Sequence, residues 1–496
     1  MKVIIVGAGI GGLSTYLALK KHLSDSDPKI SITVTILESK LAPPTFQSGS
    51  IAGSAIAFPP NGLRALASFS PTALAHVQSH AFTKASNVTL RSSSGKTLGT
   101  MNFGSAERYG YGTSMLPRVV LHQGLLKEVD DMDIRWGAKV IAITEIETGE
   151  GGVLVECEDG DIERADLVIG ADGVHSVVKD CVFNNKYQTE FGYALSLKRG
   201  ISTYCIFRGQ AGIGGFLMAS SLPPTLRKAL QTEGITMTFG RNGLFGYANA
   251  SPLDLYTKSD PFVMWWSFYD PDEIPDEGNL PLKEIKAILL EKHGDWVSPH
   301  DEKQPADEKS RTQSQSVFRA IIESAFEPES PSDSIPTKPV VVPRFITPRL
   351  PVFSNAAYPE TSSPLNRGRI VLIGDAAHTM TPDIGHGASC TIEDAVVYSL
   401  LLKHFISPHT DVFSIRDSST AEKIDLLSSN RISKALEATA KAYESIRRPR
   451  VNSLTSSKKC NVPMKEMNSF YEWFRDMAIW MLCKFSCSPW LSIRNN

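Results

Sequence analysis

The chain has 496 residues, of which 42% are apolar and 21% are charged, a composition typical of a soluble globular protein with two to four domains. Its 51 basic and 53 acidic residues nearly cancel, which argues against a nucleic acid partner. The seven cysteines are scattered and odd in number, so we expect no disulfide framework and a reducing, cytoplasmic compartment. An apolar strand already begins at Val3, which leaves no room for a cleaved signal peptide.

The first predicted unit is βαβ and carries a glycine-rich turn. The buried strand "KVIIVG" leads into Gly7, Gly9 and Gly12, spaced G-x-G-x-x-G, and then into the helix "GLSTYLALKKHL". The first glycine permits the tight turn, the second lets backbone amides approach a pyrophosphate, and the third allows the helix to pack closely. The second strand ends at Glu38, an acceptor for ribose hydroxyls. This corner therefore favours FAD or NAD over a 2′-phosphorylated NADP.

Hairpins and a second turn follow. Residues 88–155 alternate polar and apolar side chains around turns such as "SSSGK" and "ETGEGG", which predicts antiparallel hairpins. In "LVIGADGVHSVVK", Asp172 and Gly173 follow another apolar strand. Taken alone, a strand followed by Asp-Gly indicates no more than a turn.

The pattern of predicted elements changes after about residue 181. Stretches such as "GITMTFGRNGLFGYANAS" and "PFVMWWSFYD" predict an antiparallel sheet, and residues 298–316 form a polar insert with few apolar side chains. The α/β texture returns at "RIVLIGDAAH", and helices follow from about Thr420. The predicted domain ranges are 1–181 and 351–425 for a nucleotide-binding domain in two parts, 182–350 for an inserted substrate domain, and 426–496 for a C-terminal helical segment.

A second glycine-rich corner lies late in the chain, in "RIVLIGDAAHTMTPDIGHGAS". Asp375 stands at a strand end and can accept a hydrogen bond from a hydroxyl group. Gly385 and Gly387 permit close approach of the backbone to a ligand. The helix that begins near Ala388 presents its positive end, which suits an electron-rich group.

These three motifs in this order resemble the group A FAD-dependent monooxygenases, the aromatic hydroxylases with the para-hydroxybenzoate-hydroxylase fold. The resemblance covers the chain to about Arg450 and implies an α/β fold. Its parts are a Rossmann-like, glutathione-reductase-like βαβ domain for FAD, an inserted antiparallel sheet, and C-terminal helices. The segments "GSAIAFPPNGLRAL" and "LPRVVLHQGLL" resemble the family's elements beside the cofactor. The residues that the resemblance assigns to FAD are Gly7, Gly9, Gly12, Glu38, Gly53, Arg118, Asp172, Gly173, Asp375, Pro382, Gly385, Gly387 and Ala388.

Two residues depart from the family pattern. Lys179 stands where the family usually has Arg and lacks the bidentate fork, which weakens the expectation of an NADPH contact there. His386 stands where the family commonly has Gln, between glycines that are retained. His378 and His386 have no Cys, His or carboxylate partners at metal-ligand spacing, so we expect no metal.

The resemblance also implies the reaction. NAD(P)H would reduce FAD, O₂ would add to give a flavin C4a-hydroperoxide, and one oxygen atom would pass to a hydrophobic or aromatic small molecule by hydroxylation or epoxidation. Arg208 and Tyr247 lie where relatives carry pocket residues and are the catalytic candidates. Arg208 would polarise a carbonyl or phenolate, and Tyr247 would donate a proton; a surface Arg and a packed Tyr are the equal alternative. Trp265 and Trp266 are adjacent on one strand and are expected to face opposite sides. The loop-rich style suggests a eukaryotic enzyme of secondary metabolism.

Other functions stay open from the sequence. A reductase or oxidase on the same fold, a flavin halogenase lacking its Trp-x-Trp-x-Ile-Pro signature, and a non-catalytic flavin-binding protein attached to a membrane are the alternatives. Seven of the 22 residues from Phe470 to Leu491 are aromatic. This segment is either a terminal helix packed on the body or a helix in a membrane interface, where Trp and Lys are favoured. The sequence leaves the substrate, the choice of NADH or NADPH, and the oligomeric state open.

Overall fold

The structure is a computed structural model. It describes residues 1–23, 31–43, 55–81, 87–102, 104, 106–183, 206–232, 235–241, 243–250, 262–269, 282–301, 316–326, 339–346, 350–357, 364–380, 385–407, 421–456 and 469–485.

Strands and helices alternate at the start of the chain, strands dominate its middle, and successive helices end it. The strands are β1 Lys2–Val6, β2 Thr33–Glu38, β3 Ala55–Phe58, β4 Asn87–Ser92, β5 Thr97–Asn102, β6 Ser114–Pro117, β7 Ile134–Trp136, β8 Val140–Glu145, β9 Val153–Cys157, β10 Ile162–Ala165, β11 Leu167–Gly170, β12 Ile206–Met218, β13 Ile235–Gly240, β14 Gly243–Asn249, β15 Phe262–Tyr269, β16 Val340–Ile346 and β17 Ile370–Leu372. The helices are α1 Ile10–Leu23, α2 Pro60–Phe69, α3 Pro71–His80, α4 Ala106–Tyr109, α5 Arg118–Leu126, α6 Val177–Val182, α7 Pro224–Thr232, α8 Leu282–His293, α9 Val317–Ala325, α10 Asp375–His378, α11 Gly387–Ile406, α12 Ala421–Ser456 and α13 Ser469–Phe485.

A parallel sheet forms the centre of the nucleotide-binding part. Its five strands have the order β17-β11-β1-β2-β7, and every neighbouring pair is parallel. The residues of β11 and β17 are buried throughout, and so are Val3 to Val6 of β1, as is typical of a parallel sheet covered on both faces. The carboxyl ends of β1 and β17 carry the two predicted glycine corners, so the sheet brings them to the same edge.

A seven-stranded sheet forms the second part, in the order β16-β12-β15-β14-β13-β4-β5. Its strands are antiparallel except for the pair β13 and β4, which is parallel. The predicted antiparallel sheet thus contains one parallel pair of strands. Strands β4 and β5 form a hairpin from residues 87–102, which lie within the predicted range 1–181. This hairpin joins the seven-stranded sheet through the parallel pair of β4 and β13. The domain ranges themselves stay a prediction.

The two faces of this sheet pack against different partners. One face, with Phe245, Tyr247 and Trp265, packs against helices α7, α8 and α9. The other face, with Phe216 and Met264, packs with residues of β3 and β6. This second face looks toward the nucleotide-binding part and is called the pocket-facing side below. Trp265 and Trp266 lie on opposite faces, as the alternation of side chains along a strand predicts.

The C-terminal helices complete the fold. α12 packs along α11 on the nucleotide-binding part, and α13 packs on the edge of the seven-stranded sheet at β5. The α/β class with a parallel sheet and C-terminal helices is confirmed. Within the part of the chain that the structure describes, no helix combines the length and the apolarity needed to cross a bilayer.

Candidate active site

The first corner of the site is the turn between β1 and α1, and it is shaped by backbone contact. Gly7 has a φ of +101° and donates its N–H to the carbonyl of Leu37. A Cβ atom added to Gly7 would lie 2.6 Å from the carbonyl oxygen of Ala171. A Cβ atom added to Gly12 would lie only 1.8 Å from the carbonyl oxygen of Gly7. Both positions therefore require glycine, since any side chain would force the backbone apart.

Gly9 differs from its two neighbours because it faces open space. A Cβ atom added there would meet no described atom within 4 Å. A cleft of about 100 Å³ opens at this point. It is lined by Ala8, Gly9, Glu38, Lys40, Arg118, His122 and Trp136. The structure thus brings together three residues that the sequence analysis assigned to FAD and that lie on separate elements: Gly9, Glu38 and Arg118.

Glu38 and His122 fix the backbone of this corner from two sides. The Glu38 carboxylate accepts the N–H of Ala8 at 2.7 Å, and His122 Nε2 lies 2.7 Å from the Ala8 carbonyl oxygen, to which it donates. His122 is buried, its Nδ1 has no hydrogen-bond partner among the described residues, and burial lowers the pKa of its imidazole. His122 is not among the residues predicted from the sequence. The available signal was its position one helical turn after Arg118, on the same face of α5.

The Asp-Gly turn after β11 is tied to its own helix. The Asp172 carboxylate accepts the N–H groups of Val177 at 2.8 Å and Val178 at 3.3 Å, so it caps the start of α6. Burial raises the pKa of Asp172. Gly173 has a φ of +83° and open space where a Cβ atom would lie. This turn packs closely against the first corner, since a Cβ atom added to Gly7 would lie 3.0 Å from the Cα atom of Asp172.

Lys179 lies inside the protein rather than on the cleft. Its side chain is buried, and Nζ donates to the carbonyl oxygen of Val174 at 2.9 Å. A lysine held in this way stabilises the loop before α6. Its amine is therefore a neighbour of the Asp172 turn and not an exposed cation.

The late corner is built from charge rather than from backbone contact. Gly374 has a φ of +62° and donates its N–H to the buried carboxylate of Asp394 at 3.0 Å. The same carboxylate contacts His378 Nε2 at 2.6 Å and Arg447 Nε at 2.6 Å. Burial opposes ionisation of His378, but the Asp394 carboxylate outweighs it and raises the pKa of His378. Arg447 also binds Glu393 at 2.7 Å. Among the described residues, no group of His, Cys, Asp or Glu side chains could hold a metal ion.

Asp375 directly follows this corner, as the first residue of α10. No described residue donates a hydrogen bond to its carboxylate. The pKa of Asp375 lies above its ordinary value because burial raises it by more than the nearby cation of Arg118 and the His378 imidazole lower it. Arg118 therefore acts electrostatically on Asp375 and also lines the cleft at Gly9 and Glu38.

Thr391 of α11 joins the two corners sterically. A Cβ atom on Gly11 would lie 3.0 Å from Thr391 Cγ2, and a Cβ atom on Gly374 would lie 2.8 Å from the same methyl group. Residues separated by some 360 positions in the sequence are thus in contact with one side chain. This convergence is what a long cofactor spanning both corners requires.

The remaining predicted residues divide into three groups. Gly385 and Gly387 are half-buried, and added Cβ atoms would make only ordinary contacts, 3.8 Å to Ala57 of β3 and 3.9 Å to Met380; Ala388 lies in the first turn of α11. Gly53 and Pro382 lie outside the described residues. Arg208 lies on β12, but its side chain also lies outside them.

Tyr247 lies on the face of the sheet that the helices cover. Its side chain is buried on the helix-covered face of the sheet, packs against Phe318 of α9, and its hydroxyl accepts a hydrogen bond from Arg91 Nη1 at 3.1 Å. The residues of β14 alternate, so it is Ala248 that reaches the pocket-facing side. This position favours the alternative of a packed Tyr, and the role of Tyr247 as a proton donor to substrate stays a prediction.

The site fits FAD on two observations. The open space at Gly9 offers room for a pyrophosphate against the backbone of the turn, and the Asp375 carboxylate is available to accept a hydrogen bond. Arg118 is near both features, since it lines the cleft at Gly9 and acts electrostatically on Asp375, and the pyrophosphate and the ribityl chain are adjacent in FAD.

Comparison with known proteins agrees with this geometry. A family model described as "FAD binding domain" matches residues 355–411. The FAD-dependent monooxygenase paxM of Penicillium paxilli is 24% identical over 413 residues, which cover 81% of this chain and 69% of that protein. The FAD-dependent urate hydroxylase of Klebsiella pneumoniae is 24% identical over 406 residues, which cover 81% of this chain and 82% of that protein.

A solved structure shares the fold. The crystal structure of Klebsiella pneumoniae HpxO complexed with FAD and uric acid has a TM-score of 0.64 and 19% sequence identity, and the match covers 97% of this chain and 92% of that one. The comparisons confirm the predictions of an aromatic-hydroxylase-like, FAD-dependent monooxygenase and of FAD as its cofactor. The predicted eukaryotic origin stays a prediction, since the relatives come from both fungi and bacteria.

Proposed function

We propose that this chain consumes NAD(P)H and O₂ and inserts one oxygen atom into a hydrophobic or aromatic small molecule in secondary-metabolite biosynthesis. The observation that carries the proposal is the convergence of the two glycine corners on Arg118 and Thr391. The name of the Penicillium paxilli relative supports a monooxygenase, and the urate hydroxylase supports a small aromatic substrate class.

The residues of both corners would share one FAD. The turn at Gly9 would take the pyrophosphate, Glu38 the adenosine ribose, and Asp375 the ribityl chain. The flavin ring would lie by Pro382, Gly385, Gly387 and Ala388. When bound, FAD supplies the redox chemistry, because it can accept a hydride from NAD(P)H and react with O₂.

The chain itself would bind and orient the substrate and exclude water. The pocket-facing side of the seven-stranded sheet supplies an apolar wall, with Phe216 and Met264 packed beside Met115 of β6. Trp266 is half-buried on this same side. A wall of this composition favours a hydrophobic molecule, since it offers contact area and keeps water from the reacting atoms. Arg208 keeps its proposed role of polarising a carbonyl or phenolate of the substrate.

Oxygen incorporation tests the proposal most simply. The FAD-loaded protein is incubated with NADPH or NADH, ¹⁸O₂ and a panel of phenols, polyketides and terpenoid alkenes. We expect reductant consumption that depends on one substrate class and a product carrying one ¹⁸O atom. Peroxide without labelled product would indicate an oxidase. An absence of reductant and O₂ consumption across the panel would contradict a monooxygenase and favour a non-catalytic flavin-binding protein.

A further inference from the structure

Helix α13 carries an apolar surface that no described part of the chain covers. Its large side chains are exposed to fractions far above those of a packed helix, 66% for Phe470 and 59% for Trp473. The outward face of α13 is formed by Phe470, Trp473, Phe474, Trp480, Met481 and Leu482. Isolated exposed apolar residues are normal, but an adjoining set that includes four aromatic rings marks an interaction surface.

The polarity of α13 is reversed relative to a surface helix of a globular protein. Its polar side turns toward the protein. Arg475 Nη1 donates to the carbonyl oxygen of Gly240 at 3.0 Å, and Arg475 Nη2 pairs with Asp476 at 2.7 Å. Glu472 accepts a hydrogen bond from the Ser93 hydroxyl at 3.3 Å. An amphipathic helix ordinarily turns its apolar face to the core. Because the polar side of α13 makes these hydrogen bonds to the sheet, its aromatic side is left to contact another partner.

The helix is held firmly on the protein despite this reversal. Ile479 and Cys483 pack against the pocket-facing cluster of the seven-stranded sheet. A Cβ atom added to Gly99 of β5 would lie 2.2 Å from the Cβ atom of Cys483, so the backbone of β5 approaches the helix closely. The outward face is thus presented by a fixed element.

We propose that the outward face of α13 binds the interface of an anionic lipid bilayer, with the helix lying in the plane of the membrane. Trp side chains and a flanking Lys are the residues favoured at that depth. Lys484 is the only charged side chain of residues 469–485 on the outward face, and its Nζ lies 4.6 Å from the Trp480 ring centroid. The face therefore presents apolar rings and positive charge without an acidic group, which complements an anionic lipid surface.

A flat orientation follows from the remaining charges. Glu472, Arg475 and Asp476 lie on the opposite side of a helix of 17 residues, too short and too charged to span a bilayer. The binding rests on the surface of α13 alone and does not depend on the proposed reaction.

Vesicle flotation of the full-length, FAD-loaded protein tests the inference. The probes are vesicles of phosphatidylcholine alone and of phosphatidylcholine mixed with phosphatidylserine. We expect the protein to float with the mixed vesicles. We expect the triple variant Trp473→Ser, Phe474→Ser, Trp480→Ser to partition at least about tenfold more weakly, because three exposed rings no longer leave water. A control variant, Met132→Ser with Ile162→Ser, removes exposed apolar side chains elsewhere, at 90% and 62% exposure, and should float as the unaltered protein does.

Three results would overturn the inference. One is a full-length protein that stays unbound with both vesicle types. Another is a triple variant with retained flavin absorbance that floats as well as the unaltered protein. The third is a dimer in solution that the triple variant converts to a monomer, without vesicle binding by either, which would show that a second copy of the chain covers this face. Vesicle binding requires no turnover, so failure here and failure of the ¹⁸O₂ experiment are separate results.

Discussion

Different interactions hold the two corners of the cofactor site in place. The corner at Gly7 and Gly12 is fixed by backbone atoms so close that a single Cβ atom would collide with them, 1.8 Å from a carbonyl oxygen at Gly12. The corner at Gly374 is held by the buried carboxylate of Asp394, which binds its N–H, a histidine and Arg447. The first corner should therefore respond to side-chain volume, and the second to charge and pH.

The largest expected effect is that of Gly12→Ala. The added Cβ atom would meet the Gly7 carbonyl oxygen, a rigid backbone atom, so α1 must move away from the turn. We expect a loss of at least about 4 kcal/mol in the free energy of unfolding, as for severe overpacking. Chemical denaturation measures it. Gly9→Ala, whose Cβ atom meets nothing within 4 Å, serves as the matched control and should change stability by less than about 1 kcal/mol. Equal stabilities of the two variants would refute the steric account.

The second effect breaks the charge-built corner. Arg447→Met leaves the Asp394 and Glu393 carboxylates without their buried guanidinium, and we expect a loss of about 3 kcal/mol in the free energy of unfolding. The neighbouring Arg448 is 41% exposed and lies 4.0 Å from Glu444, so Arg448→Met should cost less than about 1 kcal/mol. Denaturation curves of both variants decide the point, and similar losses in the two would show that the buried network does not stabilise this corner.

The third effect separates folding from cofactor binding. Gly9→Leu places its Cβ atom where no described atom lies within 4 Å and adds its side chain at the cleft that Gly9 lines. We expect near-normal thermal unfolding of the FAD-free protein and FAD affinity at least about tenfold weaker, because the side chain fills the space proposed for the pyrophosphate. Titration of FAD into the FAD-free protein measures it. Unchanged affinity would mean that the pyrophosphate binds elsewhere.

The smallest effect is a difference in pH dependence between the corners. In the folded chain the pKa of His378 lies above its ordinary value of 6.5 and that of His122 lies below it. The stabilisation from protonated His378 is therefore fully present below pH 6.5 and is lost as the pH rises through the folded pKa. Buried neutral His122 has the opposite sign, so stability falls as the pH drops below 6.5.

Unfolding free energies across pH test these signs. Relative to the unaltered protein, His378→Gln should lose least stability on the alkaline side and most on the acid side. His122→Gln keeps a donor for the Ala8 carbonyl. Its stability relative to that of the unaltered protein should rise as the pH falls below 6.5. A pH profile that neither variant alters would contradict the assignment of these two imidazoles.

What the sequence predicted is local. The spacing of Gly7, Gly9 and Gly12 between a strand and a helix, and the Gly-Asp step at the end of β17, indicated both corners because turn sterics act over a few residues. The same holds for the alternation that sends Trp265 and Trp266 to opposite faces.

What the sequence did not predict depends on long-range packing. Arg447 reaches Asp394 from another helix, and β13 pairs with β4 across more than a hundred residues. Which face Tyr247 occupies follows from helices on both sides of its strand in the chain, α7 before it and α8 and α9 after it. His122 is an intermediate case, since its helical position could be read from the sequence but its contact with Ala8 could not.

The central claim is that both corners hold one extended FAD. A crystal structure of the FAD-loaded protein tests it most directly. We predict one FAD per chain, with its pyrophosphate against the backbone of Gly9 and its ribityl chain hydrogen-bonded to the Asp375 carboxylate. An FAD that contacts only one of the two corners, or two separate nucleotides in one chain, would contradict the claim.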